Sequence, residues 1–163
     1  MEIYSGWLDA DETIEVLAVL EQIADSTGAT IQAFDARYVV GPGHLEHAVQ
    51  LADRAIEHDR AIADDRGVEI LLYAAGRRQI NRAMRMGLKG EDHPVVIVID
   101  GGDHVAASQE VAALFRELTP FDGSLADEEY ICDFFNIPDR ERSTGARLAD
   151  LVIERVTLLT IDG

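Results

Sequence analysis

The chain carries one cysteine, Cys132, among 163 residues, which excludes an internal disulfide and predicts a reducing cytosol. Its first residues, Met1-Glu2-Ile3-Tyr4, have neither a basic n-region nor an apolar core, so no secretory signal is expected. The longest apolar runs, Ile70 to Ala75 and Val95 to Ile99, are far too short to span a bilayer. These absences together predict a soluble, cytoplasmic protein. HExxH, CxxC, GxGxxG, GxxxxGKS and GxSxG patterns are missing, so no metal centre, phosphate loop or nucleophile elbow is expected. Aromatic residues make up 6% of the chain. Lysine occurs once, as Lys89, among 14 basic residues. The most informative absence is local. Between Glu69 and Glu91 there is no acidic residue, although the chain holds 31 Asp and Glu.

What is present bounds the rest. Apolar residues reach 47%, enough for a substantial core in one domain spanning 1–163. A formal charge of −17, with acids spread over every segment, gives a surface that self-repels at low salt and stays hydrated when salt screens it. Such a surface reads as adaptation to a very salty cytosol, as in halophilic archaea.

Periodicity predicts a strand over Ile3 to Leu8, then a helix opened by a capping box at Asp9-Ala-Asp-Glu12 and stopped at Gly28. A second strand is expected around Thr30, Ile31 and Phe34. Helices follow at Leu45–Ile56, Val68–Ala75 and Arg77–Lys89. Val95 to Ile99 reads as a central strand buried on both faces. Helices around Val111 to Leu118, Tyr130 to Phe135 and Ala146 to Val152 precede a closing strand, Val156 to Ile161. The expected class is α/β (α+β): a small four-stranded sheet, mixed or antiparallel, covered by several helices.

Few residues suggest chemistry. His44 and His47 lie three apart, but no third ligand follows at a recognisable spacing, and they read as surface histidines beside Gly41-Pro42-Gly43. Asp100-Gly-Gly-Asp103 follows a buried strand, yet Asp103 as a helix N-cap explains it adequately. Cys132 sits in an apolar context that buries it and raises its thiol pKa. The chain is therefore read as a non-enzyme.

The acid-free stretch holds Arg77, Arg78, Arg82, Arg85 and Lys89. On one helix Arg78, Arg82, Arg85 and Lys89 would form a narrow stripe, with Ile80, Ala83, Met84 and Gly87 on the opposite, core-facing side. Like charges four apart weaken a helix slightly, and acids that could neutralise them are abundant elsewhere. The pattern points to an anion-binding face, with Arg77 and Arg78 at the helix N-terminus forming a phosphate site. Only Tyr73 is aromatic nearby, so one or a few nucleotides is the expected scale, not a multi-base stacking platform.

The run Val68-Glu-Ile-Leu-Leu-Tyr-Ala-Ala-Gly-Arg-Arg-Gln-Ile-Asn-Arg-Ala-Met-Arg-Met-Gly87, leading into Pro94 to Asp100, resembles the core of the kinase-binding subunit family of the KEOPS complex. The eukaryotic members of that family are called PRPK-binding protein. Gln32 to Val40, His44 to Val49 and Ser143 to Val152 are similar to the family's flanking elements, so the resemblance spans nearly the whole chain. Ala75 departs from it, standing where a Ser usually precedes Gly76.

KEOPS helps make threonylcarbamoyladenosine in tRNA. The resemblance implies a non-catalytic subunit without a cofactor. It would bind the complex's kinase-ATPase, act only indirectly with its catalytic subunit, and capture the 3′ CCA end of tRNA. Arg77, Arg78, Asn81, Arg82, Arg85 and Lys89 are then the expected tRNA contacts, with Ile80, Met84 or Tyr73 packing a terminal base. Tyr130, Phe134, Phe135, Leu148, Leu151 and Val152, more large apolar side chains than one face needs, are the expected kinase-docking set. The competing reading is a small-molecule regulatory or protein-interaction module whose arginines merely solvate a helix.

Overall fold

Four stretches form the sheet: Glu2–Leu8 (β1), Thr30–Asp35 (β2), His93–Asp100 (β3) and Thr119–Pro120 (β4). In this computed structural model, which describes residues 1–115 and 117–161, the order is β2-β3-β1-β4 and every neighbouring pair is antiparallel. Ile97 faces Ala33 on one side and Tyr4 on the other. The helices are Thr13–Thr27 (α1), Pro42–Glu57 (α2), Arg66–Ala75 (α3), Ile80–Ala83 (α4), His104–Leu114 (α5), Glu128–Phe135 (α6), Asp139–Arg142 (α7) and Leu148–Leu158 (α8).

The continuous apolar run of β3 divides between two cores, because successive side chains point to opposite faces of the sheet. Val95, Ile97 and Ile99 pack with Val16, Leu20 and Ile23 of α1 and with Ala107 and Val111 of α5. Val96 and Val98 join Phe34 against the larger layer built from α2, α3, α6 and α8. The second layer carries the residues singled out from the sequence.

Several expectations are revised. Val156 to Ile161 is not a strand: Val156 to Leu158 are the last turn of α8, and Leu159 to Ile161 follow as turns. Val152, Val156 and Leu159 are all buried on one helical face, and that packing overrides the β-branched character of the segment. The fourth strand is instead β4, two residues paired with Tyr4 and Ser5. The capping box does not form. Asp9 caps nothing through its side chain and accepts a hydrogen bond from Trp7 Nε1 at 3.1 Å, and a 3₁₀ turn, Ala10–Glu12, precedes α1.

His44 is buried, not superficial. Its Nδ1 accepts from the Val40 N–H at 3.3 Å and its Nε2 donates to the Ala74 carbonyl at 2.7 Å, pinning the start of α2 to α3. Burial pushes its pKa down to about 4. The Asp100–Asp103 turn behaves as expected, with Asp103 accepting from the Ala106 N–H. Gly102 has φ +51°, and a Cβ there would lie 2.3 Å from the Gly28 carbonyl carbon, so the α1–β2 turn already fills the space beside it.

Candidate functional site

Gly76 turns the chain out of α3. It has φ +61°, and a side chain there would meet the Arg155 carbonyl at 3.2 Å, so the turn lies tight against α8. The Arg77 N–H caps the Leu72 carbonyl at 3.1 Å. The expected helix from Arg77 to Lys89 does not follow. Ile80–Ala83 makes a single α turn, a 3₁₀ turn covers Met84–Met86, and the backbone is extended at Gly87. An isolated helix of this length is marginal, and here its cations repel while two of them are drawn inward. With only one turn, no N-terminal dipole site is built at Arg77 and Arg78.

The five cations therefore separate. Arg77 donates to the Phe134 carbonyl and lies 4.7 Å above the Phe134 ring. Its pKa is lowered by burial and by the neighbouring Arg82 and Arg85. Arg85 reaches Asp133 at 3.3 Å and also lies over Phe134, at 5.2 Å. Lys89 is turned into the protein. Its ammonium donates to Asp35 Oδ2 at 3.2 Å, to the Gly87 carbonyl at 3.0 Å and to the Arg85 carbonyl, over the Tyr38 ring at 4.7 Å. With its three N–H groups engaged, Lys89 leaves the expected stripe.

Asp35 explains that inward turn. It is fully buried, and Arg37 grips it with two hydrogen bonds, at 3.0 and 2.7 Å. Burial alone would raise its pKa, but Arg37, Lys89 and His93 outweigh that and hold it below the usual carboxylate range. Lys89 responds oppositely: burial lowers its pKa and Asp35 pulls it back.

Arg78 and Arg82 remain exposed, with no carboxylate at ion-pair distance among the described residues. Asn81 is exposed beside them. Ile80 and Met84, expected on the core side, are 51% and 50% exposed, while Ala83, Met86 and Gly87 face inward. The outer surface of this segment therefore combines two guanidinium groups with two large apolar side chains. Tyr73 is buried and offers no exposed ring for stacking. Burial and Glu69 raise its phenol pKa while Arg78 lowers it. Tyr73 and Arg78 also line a cavity of about 380 Å³ whose far wall is the C-terminal end of α2.

A family model for kinase binding protein CGI-121 matches residues 14–160. The chain belongs to that family. No curated protein matches it. The CGI-121 match begins just inside α1 and runs past α8, leaving only β1 outside among the sheet and helix elements, so it includes the exposed arginines and the whole second layer.

Within the expected kinase-docking set, burial discriminates. Phe134 and Phe135 pack edge to face at 4.9 Å in the core, and Leu151 and Val152 are buried with them. Tyr130 is 39% exposed, its ring 5.5 Å from Tyr38 and under the Arg37 guanidinium. Leu148 is half-buried. These two are the members of the set that reach the surface.

Two arginines near the site, Arg54 and Arg60, escaped the sequence reading. They lie outside the acid-free stretch, and their approach to Arg78 depends on how α2 packs on α3. The available signal was two arginines, Arg54 and Arg60, with His58 between them, at the end of one amphipathic helix.

Proposed function

We propose that this chain is a non-catalytic accessory subunit of a KEOPS-type tRNA threonylcarbamoyladenosine-modifying complex. In this reading it binds the complex's kinase-ATPase and captures tRNA by its single-stranded 3′ CCA end. The kinase half rests on membership of a kinase-binding family. The RNA half rests on one observation: Arg78 and Arg82 stand exposed and unpartnered, among the described residues, beside exposed Ile80 and Met84 in a strongly acidic chain. Guanidinium groups hold phosphate oxygens through paired donors, and an apolar side chain gives an unstacked base a surface to pack on. Two arginines suit a strand end better than a duplex.

The RNA test compares intact tRNA with tRNA lacking its CCA end. Arg82→Glu and loss of CCA should each weaken binding by about tenfold or more. Equal binding of the two tRNAs refutes end capture. For the kinase, Tyr130→Glu and Leu148→Glu should abolish copurification without altering the fold. Retention of the kinase by both folded variants refutes that face.

A further inference from the structure

The cavity beside Tyr73 gathers cations from two separate parts of the chain. Arg54 and His58 end α2, and Arg60 follows in the next turn. Asp59 takes φ +59° so that the Arg60 N–H can cap the Ala55 carbonyl at 2.8 Å. Helix C-termini favour cations, which accounts for Arg54 and Arg60 but not for Arg78, which reaches the same space from beyond α3. Six other cations, Arg37, Arg66, Arg85, Lys89, Arg142 and Arg155, have carboxylate partners. Arg54, Arg60 and Arg78 have none at ion-pair distance among the described residues. Arg77, Arg82, Arg140 and Arg147 also lack one but do not line this space. A chain with 31 acids and 14 basic residues thus brings three of the seven guanidinium groups without a carboxylate partner among the described residues to one concavity. Its floor is apolar, formed by Leu51, Ala55, Ile62 and Leu159.

We infer that this cavity binds a nucleotide phosphate, with Arg54, Arg60 and Arg78 around the phosphate and the base against the apolar floor. Its volume of about 380 Å³ lies at the small end of ligand sites, roughly 300–1,000 Å³. That suits one nucleotide and not a longer strand. The inference goes beyond capture of a tRNA end, because the same chemistry takes a free mononucleotide or the last residue of an RNA. Neither Arg54 nor Arg60 belongs to the α4 surface on which end capture rests.

The test is calorimetric titration with four probes: adenosine 5′-monophosphate, adenosine, inorganic phosphate and the trinucleotide CCA. The monophosphate or the trinucleotide should bind, and adenosine should bind at least tenfold more weakly. Arg54→Gln and Arg60→Gln should each weaken the bound probe by about tenfold, the loss of one charge-assisted contact. Arg82→Gln should leave the monophosphate unaffected. Trinucleotide binding tighter than the monophosphate identifies a strand end as occupant; equal binding identifies a free nucleotide. Methyl resonances of Ile62 and Leu159 should shift on titration, a readout that needs no variant. If neither nucleotide probe binds, or if binding ignores both substitutions, the cavity is not a phosphate site. That result leaves end capture standing when Arg82→Glu still weakens tRNA. Loss of the monophosphate in Arg54→Gln beside unchanged tRNA binding in Arg82→Glu separates the two the other way.

Discussion

Within one short stretch of chain, two groups of cations meet opposite fates. Lys89 and Arg77 are drawn under the surface, to Asp35 and to the Phe134 carbonyl, and Arg85 is held over a ring and beside Asp133. Arg78 and Arg82 carry the same charge on the same segment and bind nothing described in the protein. The difference is local supply. The buried Asp35 captures Lys89, the Phe134 carbonyl takes Arg77 and Asp133 takes Arg85, and the cations beyond the reach of these acceptors stay available. Positive charge within a sequence window is therefore a poor count of positive charge on a surface.

The interior side breaks hardest. Asp35→Ala should strand Arg37 and Lys89 without their shared carboxylate and lower unfolding free energy by about 3–5 kcal/mol, measured by urea denaturation. tRNA affinity per folded molecule should not change. A loss below about 1 kcal/mol would show that the cluster is solvated, and the contrast with Arg78 would dissolve.

The next effect is acid lability. His44 titrates near 4 in the folded chain, below its ordinary 6.5, because burial disfavours its charge. The unfolded chain therefore takes up the proton first. The stability is present in full above pH 6.5 and is lost as pH falls towards 4, about 3 kcal/mol in all. Asp35, whose pKa is also lowered, adds to the loss below about pH 4. Thermal melting across this range should show the slope, and His44→Gln should flatten the part above pH 4. An unchanged slope would mean that His44 is not buried as described.

On the exposed side the order of effects inverts. Arg82→Glu should move stability by less than about 0.5 kcal/mol, checked by the same melting experiment, while weakening tRNA as proposed above. The smallest effect is the most specific. Arg78→Gln should reduce the slope of log affinity against log salt by about 0.7, whereas Arg77→Gln should leave the slope alone and lower stability instead. A salt slope that responds equally to both would erase the distinction between partnered and free arginines.

Legibility followed the same line between local and distant causes. The central strand was readable because β3 is apolar on both faces, and Gly28, Gly76 and Asp103 stop or cap helices where their chemistry predicts. Val156 to Ile161 was misread because a short β-branched run does not reveal its period; three buried contacts decided for helix. β4 is too short to leave a pattern. The arginine stripe assumed a continuous helix, and the groups that draw its members away lie 48 to 57 residues distant, Asp35 upstream for Lys89 and Asp133 and Phe134 downstream for Arg85 and Arg77. His44 carried no local sign of burial, since its partners are a loop amide and a carbonyl of another helix.

Glu69 shapes how the cavity wall behaves. It is fully buried, and its carboxylate accepts the Ile62 N–H at 2.9 and 3.0 Å and the Ala63 N–H at 2.8 Å. The loop after α2 is thereby fastened from beneath before any ligand arrives. Ordering a mobile side chain on binding costs roughly 0.5–1.5 kcal/mol, and a loop costs more. Because Ile62 already stands in place, a nucleotide bound as proposed would meet a preorganised surface, and its affinity would reflect contact rather than disorder surrendered.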